Sequence, residues 1–253
     1  MLIAKWTRVF KRFLTALLVA VTLCLPAIGD ARGLEQILKS GQLNVAVLSH
    51  DYAPFIVWQT RSDPQGLDIS IADGIARELG VAINFVKAGN FHEDVVQAVA
   101  DGRADIGLSS ISNTLYRNRI VNFSEPYLIN HICVFLRRKL ANKYSGENGI
   151  ISFKNGKGLA LGTLKGTRYI RTIQRYLPQA KCKVFANLND VAEALRENAI
   201  DGFMFSYVKL VEFAQNHPEL CVDYTIAKSD LEDPVCVVVS PGARDLLEWI
   251  NNY

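Results

Sequence analysis

The stretches AVADGRADIGLSS at residues 98–110 and ALRENAIDGFMFS at residues 194–206 lie over each other without a gap. Ala98 falls on Ala194, Asp101 on Glu197, Asp105 on Asp201 and Ser110 on Ser206. Each reads as a helix end, a tight turn, an apolar strand and a closing serine. Coincidence is the plainer alternative, since any two α/β segments share part of this outline. A true repeat divides the chain into two lobes of similar construction. In open α/β sheets, ligands bind beyond the carboxyl ends of the strands. Two facing lobes therefore bring Ser110 and Ser206 to one cleft.

The flanking sequence keeps the same alternation. Residues 43–48 read as a strand. Residues 69–79 read as a helix with Ile71, Ala72, Ile75, Ala76 and Leu79 on one face, stopped by Gly80. Residues 82–86 are a strand, 91–100 a helix and 104–108 a strand. A second set follows Tyr127. It has a strand at 159–162, a helix at 167–177 ended by Pro178, a strand at 183–185, a helix at 190–197 and a strand at 203–205. The polar, Gly-rich stretch 142–158 reads as a surface loop. The expected fold class is α/β with largely parallel pairing.

The chain opens like an exported protein. Lys5, Arg8, Lys11 and Arg12 precede an apolar run from Leu14 to Ile28, and Gly29, Asp30 and Ala31 offer a cleavage site. Residues 1–31 thus read as a signal peptide, which marks the mature chain for export. An uncleaved anchor is the alternative, although the run is short of the roughly 20 residues of a membrane span. Leu23 ahead of Cys24 argues against a lipoprotein site. Cleavage removes four of the 28 basic and one of the 25 acidic residues, leaving 24 of each. No basic tract points to nucleic acid. The remaining 222 of the 253 residues suit one large domain or two lobes.

Cys133, Cys182, Cys221 and Cys236 allow three full disulfide pairings, or they are free thiols. There is no Cys-x-x-Cys, and His50, His92, His131 and His217 are scattered, so neither a metal nor a cofactor is expected. Gly156-Lys157-Gly158 misses both nucleotide-loop patterns.

The chemistry concentrates in Ser109 to Arg117 and in Asn122 to Tyr127. Three serines and a potential helix start at Ser112 to Thr114 stand just ahead of Arg117. Backbone N–H groups at a helix start favour an anion. A guanidinium fork adds two parallel charge-assisted bonds to a carboxylate. The bland alternative is a capped helix with a solvated arginine. Gly166-Thr167 offers a matching helix start in the second lobe.

These segments resemble the family 3 extracellular solute-binding proteins, the periplasmic receptors of polar amino-acid ABC transporters. Tyr52-Ala53-Pro54-Phe55 is similar to that family's Tyr-Pro-Pro-Phe. Gly66-Leu67-Asp68-Ile69 resembles its Gly-Phe-Asp-Val, and Asp101 to Asp105 its Gly-Lys/Arg-x-Asp turn. Ser110 to Arg117 resembles Gly-Met-Thr-Ile-Thr-x-x-Arg, and Asn122 to Tyr127 resembles Asp-Phe-Ser-x-Pro-Tyr. Gly166-Thr167-Arg168 resembles Gly-Thr-Thr. The likeness runs from about Leu34 to Asn251.

The resemblance implies a two-lobed type II periplasmic-binding fold with a hinge of two crossover strands. Residues 33–128 and 229–253 would form lobe 1 and residues 129–228 lobe 2. It implies a ligand α-carboxylate on Arg117, with Ser110, Ser112 and, from the second lobe, Thr167. Tyr52, Phe55 and Phe91 would be walls, with core packing as the alternative. The implied ligand is a small carboxylate or amino acid, captured by a monomer for an inner-membrane ABC permease. Two departures stand out. The family's amine-binding acid falls on Ser206, a weaker ammonium partner; Asp51 and Glu125 are nearby acids. The family's segment with Gly and Trp would lie beyond Tyr253.

An enzyme shares this fold in the cyclohexadienyl dehydratases, which the stretch around Arg117 and His217-Pro218-Glu219-Leu220-Cys221 also resemble. Such an enzyme needs a carboxyl general acid, yet Lys209 and Ser206 occupy the positions where acids are expected. No catalytic residue is therefore assigned. A sensor without a transporter would use the same cleft.

Overall fold

The expected alternation of strands and helices is present, and its order follows the chain. A computed structural model describes residues 32–144, 146, 150–151 and 156–253. The signal-peptide reading of residues 1–31 lies outside the described residues. The first half comprises α1 (Leu34–Ser40), β1 (Gln42–Leu48), the short β2 (Val57–Trp58) and β3 (Pro64–Gln65), α2 (Leu67–Leu79), β4 (Ala82–Gly89), α3 (His92–Ala100) and β5 (Ile106–Gly107). A single 3-10 turn, Arg117–Arg119, leads into β6 (Asn122–Arg137). The second half comprises α4 (Arg138–Tyr144), β7 (Ala160–Leu164), α5 (Tyr169–Tyr176), β8 (Lys181–Phe185), α6 (Leu188–Arg196), β9 (Gly202–Ser206) and α7 (Tyr207–Asn216). A 3-10 segment, Pro218–Val222, then precedes β10 (Tyr224–Val239) and α8 (Arg244–Asn252).

The main sheet runs β4-β1-β5-β10-β6-β9-β7-β8. Its two halves mirror each other about the β10–β6 pair. β1 pairs in parallel with β4 and β5, and β7 with β8 and β9. The pairing is parallel only within each half. β6 and β10 are antiparallel to each other, and they pair antiparallel with β9 and β5 respectively. Long chain reversals through helices allow the parallel pairs, while β6 and β10 carry the chain across in opposite directions.

The internal echo is structural. Asp105 Oδ2 accepts from Asn44 N at 2.7 Å, and Asp201 Oδ2 accepts from Ala160 N at 2.8 Å. Each acid thus ties the entry of its strand to the neighbouring strand. Both preceding helices end on a left-handed residue, Gly102 at φ 70° and Asn198 at φ 57°. Asn is the side chain that tolerates this region best after Gly. The following N–H groups close back equivalently, Arg103 onto Ala98 O at 2.9 Å and Ala199 onto Ala194 O at 2.8 Å.

Each half buries its own apolar core. One gathers Val45, Val47, Ile75, Val95, Val99 and Ile106, and receives Val237, Val238, Leu246 and Ile250 after the chain returns. The other centres on Phe135, Phe203, Phe205 and Phe213, with adjacent ring centroids 5.4–5.7 Å apart. Every residue of β9 is buried, as a strand covered on both faces requires. Tyr52 packs against both cores.

Three local expectations change. No helix starts at Ser112 to Thr114. Cys236 N donates to Ile111 O at 3.0 Å and Asn113 N to Pro234 O at 2.9 Å, so this backbone is spent on β10. The 142–158 stretch is not wholly a surface loop. α4 extends to Tyr144, and buried Ile151 bridges to Ser229 on β10; residues 145, 147–149 and 152–155 lie outside the described residues. Finally, Cys133, Cys182, Cys221 and Cys236 are all free. Burial pushes the thiols of Cys133 and Cys236 up to about 11, which keeps them protonated.

Among the described residues, no helix is long and apolar enough to cross a membrane. The strand-entry acids give a direct check. Asp105→Ala strands the Asn44 N–H and removes the partner of Arg32. It should cost about 1–3 kcal/mol in chemical denaturation, as for other buried donors left unpaired.

Candidate functional site

Tyr52, Ser110, Ser112, Arg117, Thr167 and Ser206 line one pocket between the two cores, joined by His92, Arg168, Tyr169, Phe205 and Asp233. The cavity left between these side chains is only about 10 Å³, so an amino-acid-sized molecule needs the walls to part. Ser110 follows β5 and Ser206 closes β9, beyond the carboxyl ends of the parallel strands.

Arg117 sits on the short 3-10 turn, only 3 % exposed. Its Nη1 donates to Ser112 O at 2.9 Å and its Nη2 to Glu93 Oε2 at 3.0 Å. Thr114 Oγ1 accepts from Arg117 N at 3.3 Å and steadies the turn. A guanidinium held this way presents its remaining N–H edge in a fixed orientation.

Ser110 adopts φ 51°, in the left-handed region that a residue with a side chain seldom enters. Fully buried Asp68 holds it there, since Ser110 N donates to Oδ2 at 2.5 Å. Tyr127 Oη donates to the other Asp68 oxygen at 2.8 Å. Burial pushes the Asp68 carboxyl up to about 7, against the opposing pull of these two hydrogen bonds.

On the other side, Asp233 comes from β10. Arg168 Nη1 and Tyr169 Oη donate to its two carboxylate oxygens, the latter at 2.9 Å. Arg168 Nε is buried without an acceptor. Opposite Asp233 on β6, Asn130 Nδ2 is also buried and unpartnered. Thr167 lies just before α5, and its hydroxyl donates to Leu164 O at 2.7 Å. His92 meets Tyr52 edge-on at 5.1 Å. Burial, helped by Arg117, pushes its imidazole down to about 3, so it stays neutral at physiological pH.

Two expected walls stand elsewhere. Phe55 is 1 % exposed within the first core, stacked on Tyr52 at 5.8 Å. Its carbonyl receives Asp68 N at 3.1 Å, so its turn anchors the start of α2. Phe91, 37 % exposed, stands outside the pocket lining and packs against Gly166 across the cleft. A Cβ on Gly166 would come within 2.4 Å of the ring, and φ there is +72°, so both space and backbone require glycine. Nor are the two nearby acids in the pocket. Asp51 accepts from Trp58 N, and Glu125 is exposed. Lys209 donates to Ala53 O at 3.0 Å and to Glu212, with its Nζ 4.6 Å above the Tyr52 ring.

His92, Arg168, Tyr169, Phe205 and Asp233 were not legible as site residues. Arg168 carried a signal, as the departure from Gly-Thr-Thr. Asp233 carried none, because only the crossing of β10 between the cores brings it in.

The sequence pattern described as bacterial extracellular solute-binding proteins, family 3, matches residues 43–253. The chain belongs to this family. Among its relatives is the "Probable histidine-binding protein" of Campylobacter jejuni, 26 % identical over 218 residues, 85 % of this chain and 81 % of that one. A cyclohexadienyl dehydratase of Pseudomonas aeruginosa is 37 % identical over 95 residues, 38 % of this chain and 34 % of the enzyme. An ancestral amino acid-binding protein, described as a precursor of cyclohexadienyl dehydratase, has a TM-score of 0.67 at 24 % identity, covering 87 % of this chain and 90 % of its own. The arginine-bound form of truncated ArgBP from T. maritima has a TM-score of 0.66 at 21 % identity, covering 86 % and 97 %. At these identities the structures establish the two-lobed α/β fold. In this family member the lobes meet through Lys209 on the Tyr52 turn and Gly166 on Phe91.

The Asp68 carboxyl sets a pH dependence. Its folded value lies above its ordinary 3.8, so between about 4 and 7 the folded chain holds the extra proton. Stability then falls as pH rises through that window. Thermal melts should show this decline, and Asp68→Asn should flatten it.

Proposed function

We propose that this chain is a periplasmic binding protein that captures a small carboxylate-bearing, amino-acid-like ligand for ABC-transporter uptake. The observation that carries the reading is the convergence on one pocket of buried Arg117 with the hydroxyls of Ser110, Ser112, Thr167 and Ser206. The ligand carboxylate docks on Arg117, exchanging with or sharing the edge now taken by Glu93. The second lobe supplies Thr167 and Ser206. β6 and β10 act as the hinge, with lobe 1 built from residues 33–128 and 229–253 and lobe 2 from 129–228. Closure places the ligand between two rigid cores, as in the hinge-bending class generally. The chain acts as a monomer and delivers its ligand to an inner-membrane permease.

The dehydratase reading has one support, the likeness to the Pseudomonas enzyme over 95 residues. Against it stand Lys209 in place of an acid and Asp233, whose two oxygens both accept hydrogen bonds. A binding role fits this pocket better than proton donation to a leaving group.

A calorimetric screen of the mature chain, pairing amino acids with their deaminated acids, tests the reading. A parallel assay for aromatic product from a cyclohexadienyl acid covers the enzyme, and turnover there would refute a binding-only role. Arg117→Ala should weaken the best ligand by about 2–5 kcal/mol, the usual cost of truncating one member of a desolvated, hydrogen-bonded charge pair. Unchanged affinity would remove Arg117 from the site. Ser206→Asp should shift preference towards α-amino acids over their deaminated partners; equal losses for both would count against Ser206 as the ammonium-facing position.

A further inference from the structure

The cleft carries positive charge that a single carboxylate does not balance. The pocket shares Arg117, Thr167 and Arg168 with an outer groove of about 590 Å³. Arg168, the residue that caps the start of α5, and Arg171 and Arg175 within it are spaced i, i+3 and i+7, which keeps them on one side of the helix, and all three line this groove. With Arg117, four guanidinium groups border the groove against one carboxylate, Glu93. Asp233, deeper in, supplies a second.

Both acids are already engaged, Glu93 by Arg117 and Asp233 by Arg168. Arg171 and Arg175 have aromatic neighbours instead. The Arg171 guanidinium lies 3.5 Å from the Tyr116 ring across the groove, and Arg175 lies 5.5 Å from Tyr176. Neither has an acidic partner among the described residues.

A second observation points inward. Arg168 Nε is buried with no acceptor, although Nη1 of the same side chain is paired. A buried, unmade N–H bond is costly, and an anionic acceptor is the group that best relieves it. Exposed arginines alone would be a solvated face. Here they continue a line of guanidinium groups from the rim to a buried donor.

We infer that this site selects ligands of net negative charge, an acidic amino acid or a dicarboxylate. One carboxylate takes Arg117, and a second acidic group faces Arg168 and the arginine face of α5. The inference rests on the carboxylate role of Arg117 and adds the charge class of the ligand. It separates this chain from the arginine-bound relative, since the cationic side chain of arginine would enter a groove of like charge.

The test uses charge-matched probes. The mature chain is titrated with glutamate and glutamine, aspartate and asparagine, glutarate, and arginine, at low and high salt. At least one acid should bind about tenfold or more tighter than its amide, arginine should bind least, and association of the acid should slow as salt rises. Replacing both rim arginines, Arg171→Gln with Arg175→Gln, should reduce the acid-over-amide ratio and its salt dependence several-fold while the melting temperature holds. Amides bound as tightly as acids, or arginine bound best, would overturn the charge selection and leave the Arg117 anchor standing. An acid preference that survives the double variant unchanged would overturn the role of the α5 face. Glutarate bound with no amino acid bound would support the charge selection and overturn the amino-acid part of the proposed function. Failure of every acid alone would overturn the charge selection, and failure of every probe to bind would overturn both.

Discussion

The antiparallel pairing of β6 with β10 is the constraint on which the rest depends. Each strand is 16 residues long, and each begins against one core and ends against the other. The ladder runs from Tyr224↔Arg137 to Val239↔Asn122. It is interrupted between Lys228 and Glu232, where three residues on β10 lack partners in the register. A bulge bends a strand and loosens the ladder locally. That irregularity falls between the two cores, where a bend disturbs neither.

The same strand pair builds the pocket. β10 spends its backbone on Ile111 and Asn113, which sets the loop that carries Ser110, Ser112 and Arg117. It also delivers Asp233 to Arg168 and Tyr169. The floor of the site and the crossing between the lobes are therefore one piece of chain. Asp233 and the Arg117 loop are thus held by the same strand.

Electrostatics within the cleft is organised by pairing rather than by exposure to water. Arg117 is paired with Glu93, Arg168 with Asp233, and Lys209 with Glu212. Burying an unpaired charge is costly, and pairing reduces that cost. Among the buried charged groups Asp68 is the exception. It has two neutral donors and no cation, and its carboxyl accordingly rises. It holds Ser110 in a backbone region that costs about 1–3 kcal/mol for a residue with a side chain. Local strain at the site is thus supported from the core beneath it.

Much of this was readable along the chain, because it depends on local chemistry. The 98–110 and 194–206 segments announce the repeat, since a turn needs Gly102 or Asn198 and a strand entry needs Asp105 or Asp201. Helix faces such as Ile75 and Ala76 follow from spacing, and the Ser110-to-Arg117 cluster from its hydroxyls and single arginine. Of the residues the family likeness named, Thr167 and Ser206 line the pocket while Phe55 packs in the first core, because a motif position does not say which way a ring turns. The tertiary structure alone decided that Ser112 to Thr114 is tied to β10 and not helical, that Asp233 and His92 belong to the pocket, and that Arg168 with Arg171 and Arg175 of α5 shares a groove with Arg117. Those facts depend on contacts between residues far apart in the chain. Sequence by itself determined which elements form and where the lobes repeat; only the crossing of β6 and β10 decided which side chains meet, because pairing register and lobe contact are set by long-range packing that no local pattern encodes.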